Sequence, residues 1–543
     1  MTTSSEKIVE LSEELRVLEN LVVSAAGHLG GDLDEEQIEL YDLALSQAEI
    51  SGARSLLGRC INESASETSV LAQAACYFAA ETFANTLHRL QLRTASFGIN
   101  SADLPTAEIA AEYLAPKSIA ALGRSLLEEG LPLDQISQEQ AMIRDTFHEF
   151  SNEVVRPLAE EIHRKDLIIP ETILQPLKEM GCFGLSVPQR FGGLKPDDHE
   201  DSLGMVIVTE ELSRGSLGAA GSLITRPEIM ARAILEGGTE GQKARWLPGI
   251  AAGEPLCAIS VTEPNTGSDV ASVRLRATPT EGGWLLNGGK TWCTFAGKAE
   301  LILVLARTDP DLTKAHRGLS LFVVNKPSTD GHEFEHIQPA GGKISGRSIP
   351  TLGYRGMHSF EMFYDDYFVA DEDLIGESAG VGKGFYFTMR GFMGGRLQTA
   401  ARAAGLMRAA FESASRYAQD RQVFGRSIAS YPLSLSKIAR MGSHILAAKA
   451  FTADVARLMD AGSGALEASL VKLLACRSAE WVTREAVQLY GGMGYAEETD
   501  VSRYFADARV LSIFEGAEET LAIRVVGKAL IEQTRNQPSL SQT

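Results

Sequence analysis

The strongest constraint on the fold is a change of hydrophobic pattern in the middle of the chain. Between residues 256 and 374, short apolar runs are separated by Gly-Gly, Asn-Gly and Asp-Pro turns, a pattern typical of strands. On both sides of this segment, apolar residues recur at three- and four-residue steps, which is typical of helices. The sequence therefore predicts an α+β protein with a small antiparallel β-barrel or sandwich between helical blocks.

The periodicities divide the chain into four predicted domains and a tail. The first helix has one apolar face, formed by Ile8, Leu11, Leu15, Leu18 and Val22, and is expected to end at Gly30. Further helices are expected over residues 36–57 and 69–92. The predicted divisions are an N-terminal helical extension (1–137), an N-terminal α domain (138–255), a middle β domain (256–374), a C-terminal four-helix-bundle domain (375–536) and a tail (537–543).

Composition and charge exclude several classes of function. The formal net charge of −20 argues against general binding to nucleic acid or to anionic lipid. No run approaches the roughly 18 consecutive apolar residues of a membrane span. The ten histidines show no HExxH spacing, so no metal site is expected. The six cysteines form no CxxC pair and the first residues lack a signal pattern, which favours a cytoplasmic protein with reduced thiols.

Three short segments carry a family resemblance. Residues 261–269 read Val-Thr-Glu-Pro-Asn-Thr-Gly-Ser-Asp, residues 488–495 read Gln-Leu-Tyr-Gly-Gly-Met-Gly-Tyr, and residues 513–517 read Ile-Phe-Glu-Gly-Ala. In this order and spacing they resemble the acyl-CoA dehydrogenase family. The resemblance implies an FAD-dependent enzyme that removes hydrogen from the α and β carbons of an acyl-CoA thioester.

Glu515 is the predicted catalytic base. Removal of the α proton needs a titrating side chain close to the substrate, and Glu515 matches the aromatic-Glu-Gly signature of the family. Some relatives place the base on an earlier helix, just before an arginine. Here Gly395 precedes Arg396, so no carboxylate is expected from that position. The glycine also leaves room for an α-branched acyl group, although it can equally serve helix packing.

The flavin-binding residues follow from the resemblance, because the chain has no GxGxxG fingerprint between a strand and a helix. Thr262, Gly267 and Ser268 are expected to contact the isoalloxazine and the pyrophosphate. Residues 290–294, Lys-Thr-Trp-Cys-Thr, resemble the KxWIT motif of the family. Trp292 is therefore expected to shield the flavin face and Thr294 to donate toward N5.

A second group of cofactor residues is expected to act across a subunit interface. Arg421 and Phe424 match the R-x-x-F-G motif that reaches the FAD of a neighbouring subunit in this family. Gln488, Gly491 and Gly492 belong to the same shared site by resemblance. The resemblance therefore implies a homodimer or a homotetramer.

Arginines suggest which acyl-CoA is used. Arg396 corresponds to a family arginine that helps to hold the CoA-bearing substrate, and Ser268 is also expected to contact it. Arg226 falls where relatives line the far end of the acyl pocket. A guanidinium there suits a terminal carboxylate, which it can bind with two hydrogen bonds. The alternative is an arginine at a helix start that faces solvent.

The long extension and Arg226 together narrow the expected substrate. They resemble the family member that oxidises (2S)-methylsuccinyl-CoA to mesaconyl-CoA in the ethylmalonyl-CoA route, with electron-transferring flavoprotein as acceptor. The alternatives are another short- or branched-chain acyl-CoA dehydrogenase, an acyl-CoA oxidase, and, more remotely, a non-catalytic flavoprotein scaffold.

Overall fold

A computed structural model of the protein describes residues 4–66 and 68–536, so the predicted tail at residues 537–543 lies outside the described residues. The helices of the first half are α1 (Ser4–His28), α2 (Gln37–Asn62), α3 (Val70–Leu92), α4 (Glu108–Tyr113), α5 (Pro116–Glu129), α6 (Gln138–Phe150), α7 (Arg156–Lys165), α8 (Glu171–Glu179), α9 (Ser202–Gly215), α10 (Thr225–Gly237) and α11 (Glu240–Ala252). The helices of the second half are α12 (Glu377–Gly380), α13 (Gly384–Asp420), α14 (Pro432–Asp460), α15 (Ala465–Tyr490), α16 (Gly492–Tyr495), α17 (Asp500–Leu511), α18 (Glu518–Thr520) and α19 (Lys528–Asn536).

The strands lie between the two groups of helices, apart from one short hairpin. They are β1 (Cys257–Ser260), β2 (Arg276–Thr280), β3 (Gly283–Thr294), β4 (Leu301–Arg307), β5 (Leu319–Asn325), β6 (Glu333–Ile337), β7 (Lys343–Ile349), β8 (Ser359–Ala370), β9 (Gln422–Val423) and β10 (Arg426–Ser427). The order of helical, β and helical blocks is the predicted one. The helices expected over residues 8–30, 36–57 and 69–92 are confirmed as α1, α2 and α3.

The chain forms two compact units. The first contains the described residues of Met1–Ile143 and Thr399–Thr543, and the second contains residues 144–398. Because α13 runs from residue 384 to 420, its first part belongs to the second unit and its remainder to the first.

In the first unit, the N-terminal extension packs against the helices of the C-terminal bundle. Gly123 of α5 lies so close to α14 that a Cβ there would come within 2.2 Å of the Leu435 carbonyl oxygen. Asp134, which follows α5, accepts ion pairs from Arg59 of α2 at 2.6 Å and from Lys449 of α14 at 3.0 Å. The extension is therefore part of the same compact unit as the bundle.

In the second unit, the strands form one eight-stranded sheet with the order β1-β4-β2-β3-β8-β7-β6, and β5 pairs with β4. Most neighbours are antiparallel, as predicted, but β1 pairs with β4 in parallel and β2 makes one parallel pair with β4. The parallel pairing arises because the chain crosses from β1 through β2 and β3 before β4 returns beside β1. The sheet is thus mixed rather than purely antiparallel.

Strand β4 shows why the middle of this sheet is stable. Its residues alternate between two cores, since successive side chains of a strand point to opposite faces. Leu301, Leu303 and Leu305 join a core that includes Trp246 of α11, whereas Ile302 and Val304 join the core of the sheet. All of these side chains are buried. The continuous apolar run in the sequence reflects burial on both faces.

Within the part of the chain that the structure describes, no helix has the length and the apolar character needed to cross a membrane.

Candidate active site

Glu515 lies in the turn between α17 and α18, held by side chains of its own unit. Thr399 Oγ1 donates to Glu515 Oε2 at 2.6 Å, and Arg402 Nη2 donates to the same oxygen at 2.7 Å. Both partners come from α13. The Glu515 side chain is 7% exposed and that of Arg402 is fully buried. Charge-assisted hydrogen bonds of this length fix a carboxylate firmly.

The backbone at this turn adopts an uncommon conformation. Glu515 has a φ of 55°, in the left-handed region, and Gly516 has a φ of 104°. A non-glycine residue in this region costs of order 1–3 kcal/mol unless the surrounding structure imposes it. Lys472, a fully buried residue of α15, donates from Nζ to the Gly516 carbonyl oxygen at 2.7 Å and so stabilises the turn. The strain thus coincides with the predicted catalytic residue.

Arg402 was missed by the sequence analysis. Its guanidinium also donates to Thr399 Oγ1 at 2.6 Å and lies 4.7 Å from the centroid of the Phe514 ring. The only signal in the sequence is that two arginines, Arg402 and Arg408, lie within the Ala-rich run of residues 400–410. That pattern suggests a buried arginine, but it does not reveal the partner in another helix.

The predicted flavin loop of the second unit is fixed by a buried ion pair. Glu263 accepts from Lys290 Nζ at 3.0 Å, and its two carboxylate oxygens accept from the backbone N–H groups of Arg274 and Leu275 at 2.8 and 2.7 Å. Lys290 also donates to the Val261 carbonyl oxygen at 2.7 Å. Burial lowers the pKa of Lys290 to about 8. These contacts tie residues 261–269 to β3, which carries the Lys-Thr-Trp motif.

The residues of this loop and strand fit a flavin. Trp292 has a φ of 58° and is 55% exposed, so a large aromatic face at the end of β3 is open to a ligand. A Cβ at Gly267 would meet no atom within 4 Å, which leaves space for a bound group. Thr266 Oγ1 is buried without a hydrogen-bond partner in the structure. An open aromatic face, an open glycine and an unsatisfied hydroxyl are features that a cofactor with polar oxygens would complement.

Three other residues were predicted to contact the flavin: Thr262, Ser268 and Thr294. Thr262 and Ser268 lie in the loop, where the Thr262 carbonyl oxygen accepts from the Thr291 N–H at 2.9 Å. Thr294 is buried, and its Oγ1 lies 2.9 Å from Ser359 Oγ. The predicted donation from Thr294 toward N5 stays a prediction.

The predicted cross-subunit residues are exposed on the first unit. Phe424, in the turn between β9 and β10, is 94% exposed with a φ of 51°. Arg421 and Gln488 are also exposed, as are Gly491, which follows α15, and Gly492, which begins α16. Burial of such a phenylalanine needs a partner surface.

The predicted substrate residues lie in the second unit on α10 and α13. Arg226 is 7% exposed, and its Nη1 donates to the Ser222 carbonyl oxygen at 3.0 Å. The alternative of an arginine facing solvent was therefore wrong. Arg396 is partly buried and Gly395 is buried.

A further carboxylate, Glu228, lies against the glycine pair before Arg396. Glu228 is 2% exposed and accepts from Arg232 Nε at 2.8 Å and from Gln398 Nε2. A Cβ at Gly394 would come within 2.2 Å of Glu228 Oε1. The prediction that no second carboxylate competes with Glu515 stays a prediction, but α10 places the carboxylate of Glu228 close to Gly394.

Comparison with known proteins agrees with this arrangement. Three family models match: the N-terminal domain of acyl-CoA dehydrogenases over residues 137–254, the middle domain over residues 258–367 and the C-terminal domain over residues 382–531. The chain belongs to the acyl-CoA dehydrogenase family. It is accordingly an FAD-dependent oxidoreductase that acts on acyl-CoA thioesters, and the scaffold alternative is set aside.

Among curated acyl-CoA dehydrogenases, the (2S)-methylsuccinyl-CoA dehydrogenase of Cereibacter sphaeroides is 43% identical over 400 residues, covering 73% of this chain and 70% of that protein. An acyl-CoA dehydrogenase of Bacillus subtilis is 32% identical over 74% of this chain and 100% of its own length.

Solved structures show the same fold. The butyryl-CoA dehydrogenase of Megasphaera elsdenii has a TM-score of 0.66 at 29% identity, over 74% of this chain and 100% of that chain. A glutaryl-CoA dehydrogenase in complex with glutaryl-CoA has a TM-score of 0.65 at 27% identity, over 74% of this chain and 96% of that chain.

Proposed function

We propose that this acyl-CoA dehydrogenase oxidises (2S)-methylsuccinyl-CoA to mesaconyl-CoA, with Glu515 as the base that removes the α proton. The observation that carries the role of Glu515 is its buried carboxylate, fixed by Thr399 and Arg402 on a strained turn. A base held in one orientation needs little reorganisation when the proton is transferred. When bound, FAD supplies the acceptor for the hydride that leaves the β carbon.

The residues around Glu515 have separate tasks in this proposal. The Glu515 carboxylate takes the proton, and its backbone N–H holds the thioester carbonyl oxygen as negative charge develops there. Arg402 and Thr399 orient the carboxylate without contacting the substrate. Lys472 keeps the Gly516 carbonyl, and with it the turn, in place.

The Glu515 role is tested with a matched pair of variants. Glu515→Gln preserves size but cannot accept the proton, so flavin reduction by substrate should slow by at least the roughly 10²–10⁴-fold that general base catalysis contributes. Glu519→Gln changes an exposed carboxylate four residues away and should leave the rate unchanged. Stopped-flow bleaching of the flavin under anaerobic conditions measures both. A Glu515→Gln enzyme that is reduced at the wild-type rate would remove Glu515 from the mechanism.

Arg226 supports a substrate with a second carboxylate. Its side chain is buried, and among the residues that the structure describes no carboxylate pairs with it. A buried cation without a counter-ion is costly, and a carboxylate ligand compensates the charge. The similarity to a methylsuccinyl-CoA dehydrogenase points the same way. In this proposal, the absence of a side chain at Gly395 accommodates the α-methyl group of the substrate.

The proposed role of Arg226 predicts that its replacement raises the KM for the dicarboxylic thioester but not for a monocarboxylic one. Arg226→Met should raise the KM for (2S)-methylsuccinyl-CoA by at least tenfold, the effect of about 1.4 kcal/mol of lost binding, and leave the KM for butyryl-CoA nearly unchanged. Arg226→Lys keeps the charge without the bidentate geometry and should give an intermediate KM. Equal losses for both thioesters would show that Arg226 supports the fold rather than the carboxylate.

The remaining parts of the proposal concern partners. Phe424, at 94% exposure, and Tyr495, at 91%, favour a homodimer or homotetramer in which Arg421, Phe424 and Gln488 reach the FAD of a neighbouring subunit. Light scattering after size exclusion would test this assembly, and a monomer that binds FAD fully would contradict it.

Electron-transferring flavoprotein is the proposed electron acceptor, whereas rapid peroxide formation with dissolved oxygen would favour an oxidase. The six free, buried cysteines suit the proposed cytoplasmic location.

A further inference from the structure

Three side chains in the second unit, Asp166, His332 and His358, form a cluster outside the residues of the proposed reaction. Each offers one ligand atom, and these atoms lie within 4.8 Å of one another. Asp166 caps the C-terminal end of α7, His332 directly precedes β6, and His358 directly precedes β8. Three separate segments thus deliver their side chains to one point.

The two imidazole rings are held by partners that orient them. His332 Nδ1 lies 3.0 Å from Ser348 Oγ, which leaves Nε2 of this ring as the atom for a ligand bond. His358 Nε2 lies 3.1 Å from Asp166 Oδ1, and the two ring centroids are 4.5 Å apart at an interplanar angle of 81°. In metal sites, a ligating histidine usually has its other ring nitrogen fixed by a hydrogen bond, as Ser348 fixes Nδ1 of His332.

Backbone geometry at the cluster is also uncommon. Asp166 has a φ of 54° and His358 a φ of 46°, both in the left-handed region that few non-glycine residues adopt. Such residues persist where the surrounding structure imposes them, and they are frequent at ligand sites. Here the two strained residues are the two that face each other.

Access and charge at the cluster both permit an ion. His358 is buried, whereas His332 is exposed and the Asp166 side chain is 42% exposed, so an ion and its waters can enter from one side. The positive charge that would disfavour a bound cation is that of Arg355, whose Nε lies 3.6 Å from Asp166 Oδ1. Arg355 also donates to the carbonyl oxygens of Thr351 and His163, at 3.2 and 2.9 Å. Arg355 therefore keeps these hydrogen bonds when Asp166 binds an ion.

We propose that Asp166, His332 and His358 bind one divalent transition-metal ion, with Zn²⁺ as the best fit. Two imidazoles and one carboxylate are a ligand set that suits Zn²⁺ and related ions, while Mg²⁺ and Ca²⁺ prefer oxygen ligands. Water completes the coordination. The ion joins the end of α7 to the starts of β6 and β8, so its role is to stabilise the second unit rather than to take part in the redox reaction.

Metal binding is tested on the FAD-loaded, full-length enzyme without an affinity tag, after treatment with a chelator. Zn²⁺ titrated in competition with a chromogenic chelator should occupy one site per chain. His332→Ala, which removes an exposed side chain, should weaken binding by more than the roughly 10–100-fold typical for loss of an outer partner. His358→Ala and Asp166→Asn should weaken it similarly, with far-UV circular dichroism confirming that each variant is folded.

His199 supplies the matched control. Its Nδ1 lies 2.7 Å from Asp198 Oδ1 in an exposed pair, but it is not part of the three-ligand cluster. His199→Ala should leave the affinity for Zn²⁺ unchanged. The proposal is overturned if Zn²⁺ does not bind stoichiometrically, or if its affinity is the same in wild type, His332→Ala and His358→Ala. Either result would show that the cluster is a hydrogen-bonded pair of His358 and Asp166 beside the His332 ring, without a metal site.

Discussion

Replacement of Arg402 by methionine tests how the proposed base is held. Arg402 is fully buried and pairs at 2.7 Å with Glu515, whose side chain is 7% exposed. Removal of one partner of a buried pair costs about 3–5 kcal/mol, because the other charge remains without compensation. The Thr399 hydroxyl, at 2.6 Å, still donates to Glu515 Oε2 in the variant. We therefore expect a loss of about 3 kcal/mol in the free energy of unfolding, at the low end of that range.

Activity should fall as well, for a separate reason. Without Arg402, the Glu515 carboxylate loses one of two orienting bonds, and a misplacement of about 1 Å can cost about 10²-fold in rate. Arg402→Lys restores the charge but supplies a different donor geometry, so it should recover part of the stability and less of the rate.

Urea denaturation followed by circular dichroism measures the stability, and anaerobic stopped-flow bleaching of the flavin measures the rate. Arg416→Met, an exposed position on the same helix, is the control and should change the free energy of unfolding by no more than about 0.5 kcal/mol. Wild-type stability and rate in Arg402→Met would refute the reasoning, as would an equal loss in Arg416→Met.

Three further predictions concern the extension and the thiols. A Cβ at Gly123 would clash at 2.2 Å with the Leu435 carbonyl, so Gly123→Ala should destabilise by at least about 1–3 kcal/mol in thermal unfolding. Gly58→Ala, where a Cβ meets nothing within 4 Å, should be neutral or stabilising. Burial raises the pKa of Glu81, but the hydrogen bond and charge of His444, the charge of Arg440 and the Tyr77 hydroxyl together outweigh it and leave the pKa below its usual 4.5. The ionised form therefore stabilises the fold above pH 4.5, so the stability difference between wild type and Glu81→Gln should be full at pH 6 and shrink toward pH 3; a constant difference would contradict the linkage. All six cysteines are buried, so the native enzyme should show no thiol that reacts rapidly with an aromatic disulfide reagent, unlike the urea-unfolded chain.

The block order of the fold was predictable because helices and strands carry different hydrophobic periods. Helices α1, α2 and α3 matched because their apolar stripes and stop signals are local. The parallel pairing of β1 with β4 was not predictable, since strand neighbours depend on where the chain returns rather than on local pattern.

The same distinction holds in the active site. Glu515, Trp292 and Phe424 could be proposed from the sequence because each lies in a contiguous motif, and their roles stay predictions. Arg402 and Glu228 were not found because each has a partner that is distant in sequence, Glu515 for Arg402 and the Gln398 amide for Glu228, and only the fold brings these groups together. The cluster of Asp166, His332 and His358 was not predicted either. Its residues are far apart in sequence, so no local metal-ligand spacing reveals it.

The proposed substrate is tested most directly by anaerobic mixing of the FAD-loaded enzyme with single acyl-CoA thioesters. Flavin absorbance is followed after addition of (2S)-methylsuccinyl-CoA, butyryl-CoA or isovaleryl-CoA. Fast bleaching by methylsuccinyl-CoA, with little or none by the other two, is the predicted result. Bleaching only by butyryl-CoA or isovaleryl-CoA would contradict both the substrate and the role of Arg226, while the family membership would stand.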